Sequence, residues 1–198
     1  GASDMHRVLG RLPEALTATQ VLRAPGRPVP PEILRPLIRA ARETRRVEVD
    51  YVSLNAPDRE GRIIAPHTLV WTGQRWHLRG WCEKNQAYRD FVLSRFRGEP
   101  ELLGISDHTD REDTEWHTWV EIAIAPDPRL SPAQQGVVAH DYGMMDNQWL
   151  LSVRAKLLPY YLKLLQIDPQ DIKADAKAQQ LVILNPRDLD PWLFSGAV

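Results

Sequence analysis

Arginine, histidine, tyrosine and serine recur on segments whose other residues are apolar, and that mixture is where chemistry would sit. Within Tyr88 to Phe96, Arg89 and Arg95 share the alternating parity of Phe91 and Leu93, so one face of a strand carries two guanidiniums beside core side chains unless a bulge intervenes. His77, Arg79 and Trp81 line up in the same way on the preceding segment, and Tyr51 and Ser53 sit together on an earlier one. Charges on such faces need partners. Convergent Arg, His, Tyr and Ser suit a phosphorylated or nucleic-acid ligand, with guanidinium forks on phosphate and rings against bases. The same parity is met if Arg89 and Arg95 are rim residues reaching water from the ends of their strand.

Other chemistries find less support. The chain has no P-loop, dinucleotide fingerprint, nucleophile elbow or cysteine pair at zinc spacing. Its six histidines never pair with another histidine or an acid at a recognised metal spacing. No catalytic residue, metal or cofactor is therefore expected. His108 and His117 have Asp107, Asp110, Asp113 and Glu115 nearby, and that stretch reads as a solvated linker in preference to a cation site. The one cysteine, Cys82, allows no intramolecular disulfide and reads as a small buried hydrophobe. No apolar run approaches the ~18 residues of a membrane span and no signal peptide is visible, so a soluble cytoplasmic protein is expected.

The elements that must position these residues follow from periodicity. Four prolines between Pro25 and Pro31 stiffen a linker, and residues 1 to 30 are read as linker throughout; Gly1-Ala2-Ser3 ahead of Asp4-Met5 resembles a cloning scar, with a further segment expected upstream. Ile33, Leu34, Leu37, Ile38 and Ala41 predict a helix to about Arg45, with Arg35, Arg39 and Arg42 on its other face. From Val47 the period becomes two, and strands are predicted at Val47 to Ser53 and at about 62 to 71, 75 to 82 and 88 to 96. A helix followed by short antiparallel strands points to a small β-barrel over 31–105. Beyond the acidic stretch, strands at 116–125, 148–155 and 181–184 alternate with helices from Pro132 and over 157–167. Ser131 and Gln134 supply a capping box and Gly143 a stop. The fold class expected is α+β, a barrel followed by a two-layer α/β domain over 116–198.

Charge separates the same two parts. The net charge is -1, which excludes a polyanion-coating protein, yet residues 1–104 sum to +5 and residues 105–198 to -6. All but one of the bases in the first part are arginine, the side chain suited to planar phosphate recognition; codon bias would produce the same preference. The opposite signs predict an electrostatic contribution to holding the parts together.

The segment Arg46 to Leu103 resembles the WYL domain of bacterial transcriptional regulators. The blocks that carry the likeness are Tyr51-Val52-Ser53, Pro66 to Val70, Arg75 to Arg79 and Tyr88 to Phe96, with Trp76-His77-Leu78 at the name-giving triad, His replacing its central Tyr. Asp127 to Leu130, Gln134-Gln135, Asp141 to Met144 and Val153 to Ala155 resemble the C-terminal extension domain that follows WYL in regulators beside phage-defence operons of the BREX and CBASS kind. The resemblance implies a Sm-like or SH3-like barrel that senses a ligand, a homodimer, and an N-terminal winged helix that reads operator DNA. No winged helix fits in residues 1–30, so the chain would be the sensing and dimerisation region alone, with operator DNA bound by a domain it lacks.

By motif position the resemblance places the ligand pocket at Tyr51, Ser53, His67, Arg79, Arg89 and Arg95, and His77 joins them at the triad's centre. The expected ligand is a nucleotide or single-stranded nucleic acid. The residues themselves leave other roles open: His67 shares parity with Leu69 and fits a satisfied core histidine, Tyr51 fits a core aromatic with a paired hydroxyl, and Ser53 fits a strand end. Tyr142, Tyr160 and Tyr161 read as packing within the extension domain. Two alternatives stand beside the sensor: an enzyme acting on nucleotides or oligonucleotides with His67 or His77 as general base, and a purely structural dimerisation module.

Overall fold

The computed structural model describes residues 26–54, 57–169, 173 and 175–193. Residues 1–25 of the expected linker, positions 55 and 56 of the first turn and residues 194–198 lie outside this set. Helix α1 (Pro31–Arg42) opens with Pro31 at its first position, where the missing N–H costs nothing, and buries Ile33, Leu37 and Ala40. It continues through Pro36 and gives way to strand β1 (Arg45–Tyr51) two residues earlier than the alternation suggests.

Strands β2 (Glu60–Trp71), β3 (Trp76–Cys82), β4 (Ala87–Val92) and β5 (Phe96–Ile105) complete an antiparallel sheet in the order β4-β3-β2-β1-β5. Val47, Val49, Tyr51, Ile64, Leu78, Phe91 and Phe96 pack on α1 to make its core. The expected closed barrel does not form. A 3₁₀ turn over Leu93–Arg95 breaks the predicted strand 88–96, and β5 leaves it to pair with β1 at the opposite edge of the sheet from β4. The Arg95 carbonyl is held there by the Val52 N–H at 3.2 Å. Arg95 thus leaves the strand parity it was expected to share with Phe91.

A second departure from alternation lies in β2. Pro66 faces Gly80 and Thr68 faces Arg79, so His67 is the extra residue of a bulge. Proline offers no N–H to the ladder, which suits a bulge, and His67 turns to the Arg79 face, away from Leu69. At this point the strands approach closely: a Cβ on Gly80 would stand 2.5 Å from the Ala65 carbonyl oxygen and 2.6 Å from the Pro66 Cα. Both neighbours are backbone. Gly80→Ala is expected to lower stability by about 2 kcal/mol in urea unfolding, because the bulge must open to admit the methyl.

The acidic stretch is not a solvated linker. It folds into a 3₁₀ turn at Asp110–Glu112, capped by Thr109, and a one-turn helix α2 (Thr114–His117) capped by Asp113, with Asp113 and Trp116 buried. Beyond it β6 (Trp119–Pro126), α3 (Pro132–Asp141), β7 (Trp149–Arg154), α4 (Leu158–Leu164), β8 (Leu181–Ile183) and α5 (Pro186–Leu193) form an α/β unit with strand order β7-β6-β8. Its core is Ile122, Ile124, Val153, Leu158, Leu162, Leu181 and Leu189. The predicted capping box is present, with the Gln134 N–H donating to Ser131 Oγ at 3.3 Å and the Ser131 N–H donating to Gln134 Oε1 at 2.9 Å. Gly143 follows α3 at φ +61°, a conformation glycine adopts without strain. Among the described residues no helix is long and apolar enough to cross a membrane.

Candidate functional site

Arg79 projects from β3 on the face away from α1 and is 1 % exposed. Its Nε donates to Asp113 Oδ2 at 2.5 Å and one terminal nitrogen donates to Asp113 Oδ1 at 2.8 Å, the two-pronged geometry of a strong guanidinium–carboxylate pair. The other terminal nitrogen lies 3.2 Å from both Asp90 oxygens, and Glu115 is reached at 3.4 Å. His67, from the bulge, sets its Nε2 3.1 Å from Asp113 Oδ2 and its Nδ1 2.7 Å from Thr68 Oγ1. Burial pushes the Asp113 carboxyl up, but the hydrogen bonds from His67 and Arg79 and the Arg79 charge outweigh it and bring the pKa down to about 2. The basic first part and the acidic second part therefore meet in a buried ion pair. Within the second part Lys156 stands 2.9 Å from Glu115.

Beside this network lies a cavity of about 240 Å³. Five of the seven sequence-predicted site residues line it: Tyr51, Ser53, His77, Arg79 and Arg89. His67 and Arg95 are not in its wall, His67 being spent on Asp113 and Arg95 lying in the 3₁₀ turn. Tyr51 contributes a ring. Its hydroxyl accepts from the Val92 N–H at 3.0 Å, and Phe91 and Phe96 meet it edge-on at 5.2 Å. Arg62 lies over the same ring at 5.7 Å and donates to Glu60 at 2.9 Å, but its Nε is buried without a partner. Arg89 is exposed and makes no ion pair with any described residue.

His77 is 5 % exposed. Its Nδ1 stands 3.3 Å from the Tyr160 hydroxyl and its Nε2 is buried without a partner. Burial drives its pKa down to about 4, with Arg75 and Arg95 acting in the same direction and Asp90 against them. The imidazole is neutral at pH 7. Burial likewise pushes the Tyr160 phenol up to about 12.

Of the seven lining residues outside the predicted set, Arg62, Asp90, Lys156 and Tyr160 bring charge or a contact from the second unit. Arg62 shares parity with Ile64 on β2, so the argument that found Arg89 would have found it. Asp90 alternates onto the Arg79 face. Lys156 and Tyr160 come from the second unit, and nothing local in an apolar helix marks Tyr160 as facing the first one. The expectation that Tyr160 packs within its own domain is corrected by its contact with His77.

Cations from Arg62, Arg89 and Lys156 beside aromatic and hydrogen-bonding groups can hold an anion that carries a flat polar group. Among the described residues no group of three metal-ligating side chains occurs.

This fold and site define a class. Residues 32–98 match the WYL domain, and residues 119–189 match the BrxR transcriptional regulator C-terminal dimerization domain. The chain carries a WYL domain followed by this dimerization domain. It is similar to the DNA-binding transcriptional repressor CapW of Stenotrophomonas maltophilia, at 31 % identity over 89 % of this chain and 59 % of the relative. The repressor of the same name from Pseudomonas aeruginosa is 35 % identical over 81 % of this chain and 53 % of its own length. The chain thus spans little more than half the length of these relatives. A solved structure, the proteasome accessory factor PafBC of Arthrobacter aurescens, aligns over 86 % of this chain and 28 % of its own at 21 % identity with a TM-score of 0.34, too low to carry an argument.

Proposed function

We propose that this chain is the ligand-sensing and dimerisation region of a transcriptional repressor of a phage-defence operon. The cavity takes a nucleotide or a single-stranded nucleic-acid segment, and its occupancy alters affinity for operator DNA read by a winged helix outside these 198 residues. One observation carries the reading. The only two buried side-chain polar atoms without a hydrogen-bond partner among the described residues, Arg62 Nε and His77 Nε2, both belong to residues in the wall of this one cavity, together with the unpaired Arg89. Of the three, the exposed Arg89 guanidinium is the group that a ligand in the cavity meets directly, and an anion is what would pair with it. The repressor names of the relatives and the dimerization-domain match support the rest.

The walls come from both domains, Arg62, His77 and Arg89 from one and Lys156 and Tyr160 from the other. A ligand held by both sides binds two domain arrangements unequally, and only that difference can switch DNA affinity. The test is fluorescence anisotropy of operator DNA with the full-length repressor, with and without a 5′-phosphorylated oligothymidylate. Arg89→Ala is expected to weaken the oligothymidylate about tenfold or more, the value of a charge-assisted bond, and to blunt the operator response in proportion. Arg89→Ala and Arg95→Ala together leaving ligand response and repression intact would sink the proposal.

A further inference from the structure

We propose that two copies of this chain meet through the open face of the three-stranded sheet β7-β6-β8, with Leu150, Ala123 and Leu184 at the centre of the contact. The inference rests on the dimerisation half of the reading above, is independent of the ligand, and adds the surface through which the copies join. The dimerization-domain match runs over residues 119–189, and the whole of this face lies within it.

Strand alternation divides the side chains of this sheet into two sets. Ile122, Val153 and Leu181 share one core with Val138 of α3, Leu158 of α4 and Leu189 of α5, so all three helices cover the same side. A sheet face left to water carries polar side chains at the alternate positions. Here those positions hold Trp119, Ala123, Leu150, Val182 and, one residue past β8, Leu184, interrupted by Glu121, Ser152 and Arg154. Ala123 pairs with Leu150 on one side, and on the other its carbonyl accepts from the Leu184 N–H at 2.8 Å. The three side chains therefore form an apolar row across the sheet. Leu150 is 60 % exposed and Trp119 56 %, and Leu184 is half exposed, so no described residue covers the row.

A second copy is the occupant this composition fits. A two-fold axis sets the same patch against itself, so an apolar row needs no partner of different chemistry, and the small Ala123 between two leucines lets side chains of the facing sheet interdigitate at the ~10 Å spacing of packed sheets. The end of the face is held in place by Arg154, whose guanidinium lies 4.8 Å from the Trp119 ring centroid and 4.6 Å from that of Trp116 and donates to the Trp116 carbonyl. The Trp116 N–H in turn donates to Asp113, which ties this end of the face to the ion pair that joins the two domains. The helical side offers a poorer match. Val137 of α3 is as exposed as Leu150, but it stands among Gln134, His140 and Asp141.

The test is sedimentation of the full chain over a concentration series, in which the wild type is expected to dimerise. Leu150→Glu and Leu184→Glu each put a carboxylate at the dry centre of the contact and are expected to raise the dimer dissociation constant about a hundredfold or more, while Val137→Glu leaves it unchanged. Circular dichroism checks that each variant is folded. A second measurement leaves the apolar row intact: Ser152→Cys, on the same face, is expected to join two copies through a short bismaleimide, and His140→Cys on α3 is expected to stay single, the native Cys82 being buried. Where a glutamate variant does not fold, the cross-link decides. A dimer that survives both glutamates, or one lost in Val137→Glu while Ser152→Cys stays uncoupled, overturns this face and leaves the dimerisation reading standing. A wild-type chain that is monomeric at every concentration removes the dimerisation reading and this inference with it.

Discussion

Asp113→Ala is expected to lower stability by about 4 kcal/mol, the range found when one partner of a buried ion pair is removed and the other charge stays behind. Asp113 and Arg79 are each only 1 % exposed, and the carboxylate receives two guanidinium bonds and the His67 ring nitrogen. Without it Arg79 keeps Asp90 at 3.2 Å and a longer contact to Glu115, whose side chain is 45 % exposed and screened by water. The helix α2 loses its cap as well, since the Trp116 N–H donates to Asp113 Oδ1 at 3.2 Å. Asp113→Asn keeps the shape and one acceptor oxygen, although its NH2 then faces a donor of Arg79 or His67, and should cost less. Urea unfolding of the three proteins checks both the size and the order, and a loss below about 1 kcal/mol for the alanine variant would mean that the ion pair does not hold the junction. The sign with pH is also set. The folded pKa of about 2 lies below the ordinary carboxylate value, so the Asp113 contribution is complete above about pH 4 and drains away as pH falls towards 2.

The residues that make this junction show what a sequence displays and what it hides. Arg79 and Arg89 were visible because strand alternation is a local signal, a guanidinium with an aromatic ring two residues on standing out, and His77 because it shares the parity of Arg79 and Trp81. The Ser131–Gln134 box was visible for the same reason, all its parts lying within four residues. Asp113 was not. Its burial depends on an arginine 34 residues earlier in the chain, and before that pairing is known an acid among Asp110, Glu112 and Glu115 reads as one more solvated charge. The barrel failed for a related reason. No glycine or proline interrupts the strand-like run from Tyr88 to Phe96, and what breaks it is a 3₁₀ turn at Leu93–Arg95 held by contacts that include the Val52 to Arg95 hydrogen bond. His67 was misplaced because a bulge adds a residue without altering composition, although Pro66 was a hint that the ladder would be interrupted. The two lining residues Lys156 and Tyr160 needed the docking of two domains, and no periodicity within either one records that.

The triad position occupied by His77 leads to a second large effect, because a tyrosine there would not titrate near neutrality and a histidine does. Stability is expected to fall by about 3 kcal/mol between pH 6.5 and pH 4 through this one group. Burial, then the nearby Arg75 and Arg95, hold the folded pKa at about 4 against a partial pull from Asp90, whereas the unfolded chain titrates near 6.5. Between those two values the unfolded state binds a proton that the folded state refuses. Stability is therefore complete above pH 6.5, declines by about 1.4 kcal/mol per pH unit, and levels off below about 4. Two-state unfolding free energies across this window isolate the term when wild type is compared with His77→Gln and His77→Tyr, in which the difference should flatten. Parallel curves from pH 7 to 4.5 would show that the imidazole is not held neutral. The same titration bears on the domain contact. On acidification both ring nitrogens become donors, so across this contact between β3 and α4 the Tyr160 hydroxyl can only accept from Nδ1–H.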